Sequence, residues 1–193
     1  MMEGGMRHPP ICTIGHSTRA LDALVELLRA NRVAVLADVR TMPRSRRMPH
    51  VSREALAATL PDAGIGYRHL PSLGGWRRAS PDSPNAGLRH PAFRGYADHM
   101  RTPEFEEGLA ALIAMAQAQR TAIMCAEAVP WRCHRQLLSD ALTARGVPVL
   151  HIIDASPPRP HALTAAARVE DGRVSYPAPE DQLAWPFPGA GRQ

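Results

Sequence analysis

Apolar residues along this chain follow two alternating rhythms up to about residue 153. Ile11-Cys12-Thr13-Ile14, Val33-Ala34-Val35-Leu36-Ala37 and Thr121-Ala122-Ile123-Met124 are short continuous runs, as expected of strands covered on both faces. Between the first two, apolar positions recur at Leu21, Leu24, Val25 and Leu28, the stripe of an amphipathic helix. Ser17 or Thr18 is placed to cap it. Ser52 opens a second, short helix through Leu60, and Gly66 to Leu70 reads as a strand. Thr102-Pro103-Glu104 starts a further helix, with a cap, a first-turn proline and an acid at the positive end of the dipole. That helix buries Phe105, Leu109, Leu112 and Ile113. A strand over 121–125 and a helix over 132–145 follow. Gly146 ends that helix, and Val147 to Ile153 predicts the last strand.

This alternation predicts a single α/β domain, a mostly parallel sheet with helices on both faces in a Rossmann-like three-layer arrangement. The expected organisation is a disordered tail over 1–10, the α/β domain over 11–155, and a Pro/Ala-rich irregular extension over 156–193 packed on the domain. Asp171-Gly172 marks a hairpin turn in that extension, and Leu183, Trp185 and Phe187 are candidates to dock it. A chain of 193 residues is long enough to bury one substantial core.

In a parallel sheet the C-terminal strand ends share one edge, where open α/β folds place their ligand sites. Four loops bring polar residues there: Gly15-His16-Ser17; Asp38-Val39-Arg40 with Pro43-Arg44-Ser45-Arg46-Arg47; Leu73-Gly74-Gly75 with Arg77-Arg78; and the segment from Cys125 to Arg135. The last places two thiols, a carboxylate, an imidazole and two guanidiniums within eleven residues.

Composition sharpens this in one respect. All 23 Lys-or-Arg positions are arginine, and the net charge is +5. Arginine forks suit carboxylate and phosphate, so the expected partner is a phosphate-bearing small molecule or nucleic acid. Three cysteines make no disulfide framework and favour a reducing, cytoplasmic setting. Met1 to Pro10 lacks an apolar signal core. No stretch approaches the ~20 apolar residues of a membrane span. Oligomeric state is not legible.

Within this rim, Glu127, Asp38 and His16 are candidates for acid/base work, Asp38 alternatively for positioning an arginine, and Cys125 for a nucleophile. Arg40, Arg44, Arg46, Cys133, His134 and Arg135 are candidates to bind substrate or anion. A thiol in the first turn of the 132–145 helix would be acidified by the dipole and by neighbouring arginines. Three sharper ideas compete. Zinc held by Cys125, Cys133 and His134 suits the donors, but the spacing matches no common zinc signature. Cys133 and His134 would also diverge on a helix, so no metal or cofactor is assigned. A phosphate-cradling cysteine loop, of phosphatase or sulfurtransferase type, would use Cys125. Pro130 removes one of its backbone donors, and the segment to Arg132 is a residue too long. Third, Trp76, Phe93, Tyr96 and Trp131 could stack on bases while the arginines hold phosphates.

Over residues 11 to 153 the chain resembles the bacterial and archaeal family of the domain of unknown function 488. The resemblance is carried by Thr13-Ile14-Gly15-His16-Ser17, by Asp38-Val39-Arg40 with Pro43 and Ser45, and by Phe93 with Tyr96-Ala97-Asp98-His99-Met100. Cys125-Ala126-Glu127 and Cys133-His134-Arg135 complete it. It implies a compact α/β fold with the rim residues as the functional ones, and no particular reaction. The leading expectation is an enzyme acting on a nucleotide or nucleic acid. A non-catalytic module binding nucleic acid or another anion, and a thiol-dependent enzyme using Cys125, are the alternatives.

Overall fold

A computed structural model describes residues 8–179; the expectations for 1–7 and for Leu183, Trp185 and Phe187 lie outside them. The chain forms a six-stranded, mostly parallel sheet in the order β3-β2-β4-β1-β5-β6. Its strands are β1 (Ile11–Gly15), β2 (Val35–Asp38), β3 (Gly66–His69), β4 (Thr121–Cys125), β5 (Val149–Ile152) and β6 (Arg159–Pro160). Only β6 runs antiparallel, against β5. In β1, β2 and β4 every residue is buried, which is why their sequences are continuous apolar runs rather than alternating ones.

Successive side chains point to opposite faces, and each face has its own core. Cys12, Ile14, Leu36, Ala122 and Met124 pack with Leu24 and Leu28 of α1 (Leu21–Ala30) and Leu56 of α2 (Arg53–Thr59). Ile11, Ala37 and Ile123 face the other way. They are covered by α3 (Pro91–His99), α4 (Pro103–Ala118) and α5 (Arg135–Ala144). The Ser52 and Thr102 side chains accept hydrogen bonds from the backbone N–H of Ala55 and Phe105, capping α2 and α4.

Two local expectations are corrected. Neither Ser17 nor Thr18 caps α1. Ser17 turns through φ 48° and gives its N–H to the Ala126 carbonyl, so the helix starts only after Ala20. The helix expected over 132–145 begins at Arg135; Pro130–Arg132 is a 3-10 turn and Cys133 is extended at φ −142°, ψ 154°. Helix α3, with proline at its start and one glycine inside, has a stripe too short to stand out by periodicity.

Beyond the sheet, β7 (Arg168–Glu170) and β8 (Arg173–Ser175) form a hairpin turning at Asp171-Gly172, both at positive φ. Tyr176 is fully buried against the domain, and its hydroxyl donates to Asp140 of α5 at 2.8 Å.

Candidate functional site

Strand β4 lies between β1 and β2. The loops after β1 and β2 lead to helices on one face, whereas the loop after β4 leads to α5 on the other. Where neighbouring connections part in this way, a crevice opens at the C-terminal strand ends. Here it is a cavity of about 840 Å³. His16 comes from the β1 loop, Arg40 and Arg44 from the β2 loop, and Cys125 and Glu127 from the end of β4. Cys133 and His134, just before α5, complete this wall.

Asp38 has no exposure and lies behind Arg40 rather than in the cavity. Its Oδ1 accepts from Arg40 Nε at 2.8 Å and from the Arg40 backbone N–H at 3.1 Å. Its Oδ2 accepts from Arg40 Nη2 and, at 2.7 Å, from the Tyr67 hydroxyl. With both oxygens saturated it is a positioning group, and the expectation that it serves as a base is corrected. Burial alone would lower the Arg40 pKa, but the hydrogen bonds and charge of Asp38 outweigh it and raise it. Burial raises the pKa of Tyr67, as does the Asp38 carboxylate. Arg40 Nη1 lies 3.2 Å from His16 Nε2, and His16 Nδ1 lies 2.9 Å from the Ser17 carbonyl. The proton therefore sits on Nδ1, and Nε2 accepts from Arg40. Burial, with Arg40 adding to it, lowers the His16 pKa and keeps the ring neutral at neutral pH.

The Sγ atoms of Cys125 and Cys133 and the Nδ1 of His134 lie within 4.8 Å of one another. His134 converges with Cys133, rather than diverging, because Cys133 is extended and His134 is the residue from which α5 starts. His134 Nε2 lies 3.2 Å from the Val39 carbonyl, so Nε2 carries the proton and the Nδ1 lone pair faces the sulfurs. The ring is held on its faces as well. Tyr96 packs at 5.0 Å between ring centroids. A Cβ at Gly75 would come within 2.3 Å of Nδ1 and 2.6 Å of Cγ, over the ring rather than along the lone pair, so only glycine fits. Interaction with the Cys125 thiol, then the charge of Arg135, lower the Cys133 pKa despite burial. Cys125 moves up through the same contact with Cys133 and through burial. The contact between the two thiols favours a single shared thiolate, with Cys133 moved down and Cys125 moved up.

Glu127 is exposed, lines the cavity and forms no ion pair among the described residues. Arg135 is 1% exposed and lies beneath the rim. Its Nη2 donates to the Glu127 carbonyl, and its Nη1 donates to Thr13 Oγ1 at 3.5 Å. It straps α5 to the β4 loop, which corrects its expected role as an anion-binding residue. Arg46 is exposed outside the cavity and drops out of the anion set. The 126–129 segment crosses directly over Gly15, where a Cβ would stand 1.7 Å from the Glu127 carbonyl oxygen.

Trp76, at 74% exposure, and Trp131, at 55%, flank the cavity with the half-buried Phe93, and Arg132 joins Arg40 and Arg44 as a cation lining it. Tyr96, expected to stack on bases, is fully buried instead. Its hydroxyl donates to the Leu73 carbonyl at 3.0 Å. His99 Nε2 meets the Ser72 carbonyl at 2.7 Å, and Asp98 accepts from Ser80 N–H, Ser83 Oγ and Asn85 Nδ2. The Tyr96-Ala97-Asp98-His99 signature thus holds the 71–85 wall in place. Gly75 and the supporting role of Tyr96 were missed from sequence, although both belong to segments singled out there.

No curated protein and no solved structure matches the chain. The model of one family, described as the domain of unknown function DUF488, matches residues 20–142. This is more than half of the chain and runs from the foot of α1 to within α5, carrying most of the cavity wall. The chain therefore belongs to the DUF488 family.

Proposed function

We propose that this protein is an enzyme acting on a phosphate-bearing substrate, a nucleotide or nucleic acid, in the cavity at the C-terminal edge of the sheet. The observation that carries this reading is the pairing of two exposed tryptophans with Arg40, Arg44 and Arg132 around one cavity. Large exposed aromatics are uncommon on a protein surface without a ligand to meet. Rings hold bases by stacking, and guanidinium forks hold phosphates. At the floor, the Cys125/Cys133/His134 cluster supplies the reactive groups, and Glu127 is the carboxylate free to take a proton. The neutral His16 and the Asp38-locked Arg40 orient the anion. Three free, buried cysteines fit a cytoplasmic setting.

Titration of a short single-stranded oligonucleotide and of mononucleotides at ~50 mM salt, read by tryptophan fluorescence, tests the reading at the ionic strength where phosphate contacts are strongest. Quenching is expected. Trp76→Ala should weaken binding by about 5- to 150-fold, from about 1–3 kcal/mol per stacked base. Arg44→Ala should weaken it and flatten its salt dependence by about one unit of slope. Glu127→Ala should spare affinity while abolishing turnover. Absence of quenching at ~50 mM salt refutes the nucleotide reading.

A further inference from the structure

We infer that Cys125, Cys133 and His134 form a site for a thiophilic divalent metal, zinc by its chemistry, with one coordination position open to the cavity. His134 Nδ1 lies 3.8 Å from Cys125 Sγ and 3.6 Å from Cys133 Sγ. A tetrahedral zinc with bonds of about 2.3 Å to sulfur and about 2.0–2.1 Å to nitrogen sets its S···N separations at about 3.6 Å. Both S···N separations already stand near that spacing and all three donor atoms lie within 4.8 Å of one another, so the site closes on a metal with little rearrangement.

The orientation of the imidazole is a second, separate observation. Its Nε2 proton is engaged by the Val39 carbonyl, and the lone pair on Nδ1 faces the two sulfurs. A backbone carbonyl on the far nitrogen is the usual outer partner of a metal-bound histidine, because it fixes both tautomer and ring angle. Gly75 and Tyr96 confine the ring against rotation.

Two thiolates and an imidazole select zinc over magnesium or calcium, which require oxygen donors. Three protein ligands at a cavity wall match a catalytic rather than a structural zinc, since a structural site closes all four positions with protein. All three residues line the 840 Å³ cavity. The remaining position therefore belongs to water or to a substrate oxygen, which the metal would polarise. Glu127 stands on the same wall. The spacing from Cys125 to Cys133 resembles no zinc knuckle because the ligands come from a strand end and a helix start, joined by the 126–132 loop.

The metal site stands independently of the nucleotide reading, and its test uses no nucleotide. The full-length protein, reduced and stripped with a chelator, is titrated with Co²⁺ and then with Zn²⁺. The expected result is one cobalt per chain with the intense visible bands of a tetrahedral site and a thiolate-to-cobalt charge-transfer band, all lost when zinc displaces it. Cys12→Ala should keep these signals; Cys133→Ser and His134→Gln should each weaken binding by at least tenfold. To keep the test independent of any folding loss in a variant, zinc protection of Cys125 and Cys133 against alkylation is measured in the unaltered protein by peptide mapping. The proposal is overturned if the folded wild-type chain gives no stoichiometric cobalt signal. It is equally overturned if the signal survives in folded Cys133→Ser, or if zinc leaves the alkylation of both thiols unchanged.

Discussion

Asp38 separates a proton-transfer role from a structural one with a single conservative change. Asp38→Asn keeps the shape of the side chain and removes its charge. Arg40 would then remain 7% exposed with no acid beside it, since its one ion pair among the described residues is with Asp38. Removing one member of a buried pair costs about 3–5 kcal/mol, because the other charge stays desolvated and unpaired. Four donors converge on Asp38, three from Arg40 including its backbone N–H and one from Tyr67, so the upper part of that range applies. With a urea slope of about 2 kcal/mol/M, the unfolding midpoint should fall by about 2–2.5 M. A double-mutant cycle with Arg40→Met completes the test. The two losses should fail to add by about 1–3 kcal/mol, because once either partner is gone the second has little left to lose. A midpoint that moves by less than ~0.5 M, or losses that simply add, would refute the positioning role. A catalytic base would show the opposite pattern, with turnover lost and the midpoint unmoved.

Other consequences follow from single contacts. Gly15→Ala places a methyl group against the Glu127 carbonyl; a loss of about 1–3 kcal/mol or more is expected by chemical denaturation, with ligand-induced fluorescence changes abolished because the 126–129 loop is displaced. Tyr176→Phe leaves Asp140 Oδ2 without its donor, which should cost about 1.5–3 kcal/mol and expose the 156–179 segment to limited proteolysis. Burial, with the charges of His161 and Arg135, lowers the His151 pKa to about 4, the Asp140 carboxylate opposing them. Below pH 6.5 the unfolded chain takes up a proton that folded His151 refuses until about pH 4, so stability is level above that window and falls as pH drops through it. The full shift corresponds to at most about 3 kcal/mol, and solvent screening and local relaxation reduce this to about 1–2 kcal/mol. Urea unfolding of wild type and His151→Gln across the window checks it: the variant should lose that part of the slope, and parallel curves would refute the assignment.

The continuous apolar runs at 11–14, 33–37 and 121–124 determined by themselves that strands here are covered on both faces. With the helical stripe between them, they determined a parallel α/β sheet. Those are properties of local period and of apolar area, and both are written along the chain. The sheet order placed β4 between β1 and β2 and so opened the cavity beside the strand ends that sequence had marked. The roles of individual residues depended on contacts between distant segments. Arg135 reads like any other arginine in a basic loop, but the sheet buries it as a strap. Asp38 reads like an acid at a strand end, but Tyr67, 29 residues on, and Arg40 occupy both its oxygens. Cys133 and His134, neighbours that a helix would splay apart, converge with Cys125 because Pro130 and an extended Cys133 delay the start of α5. The donor set for a metal was legible as residue types; whether its atoms share one centre was decided by tertiary structure, because a separation of a few ångströms is a sum over every turn between them.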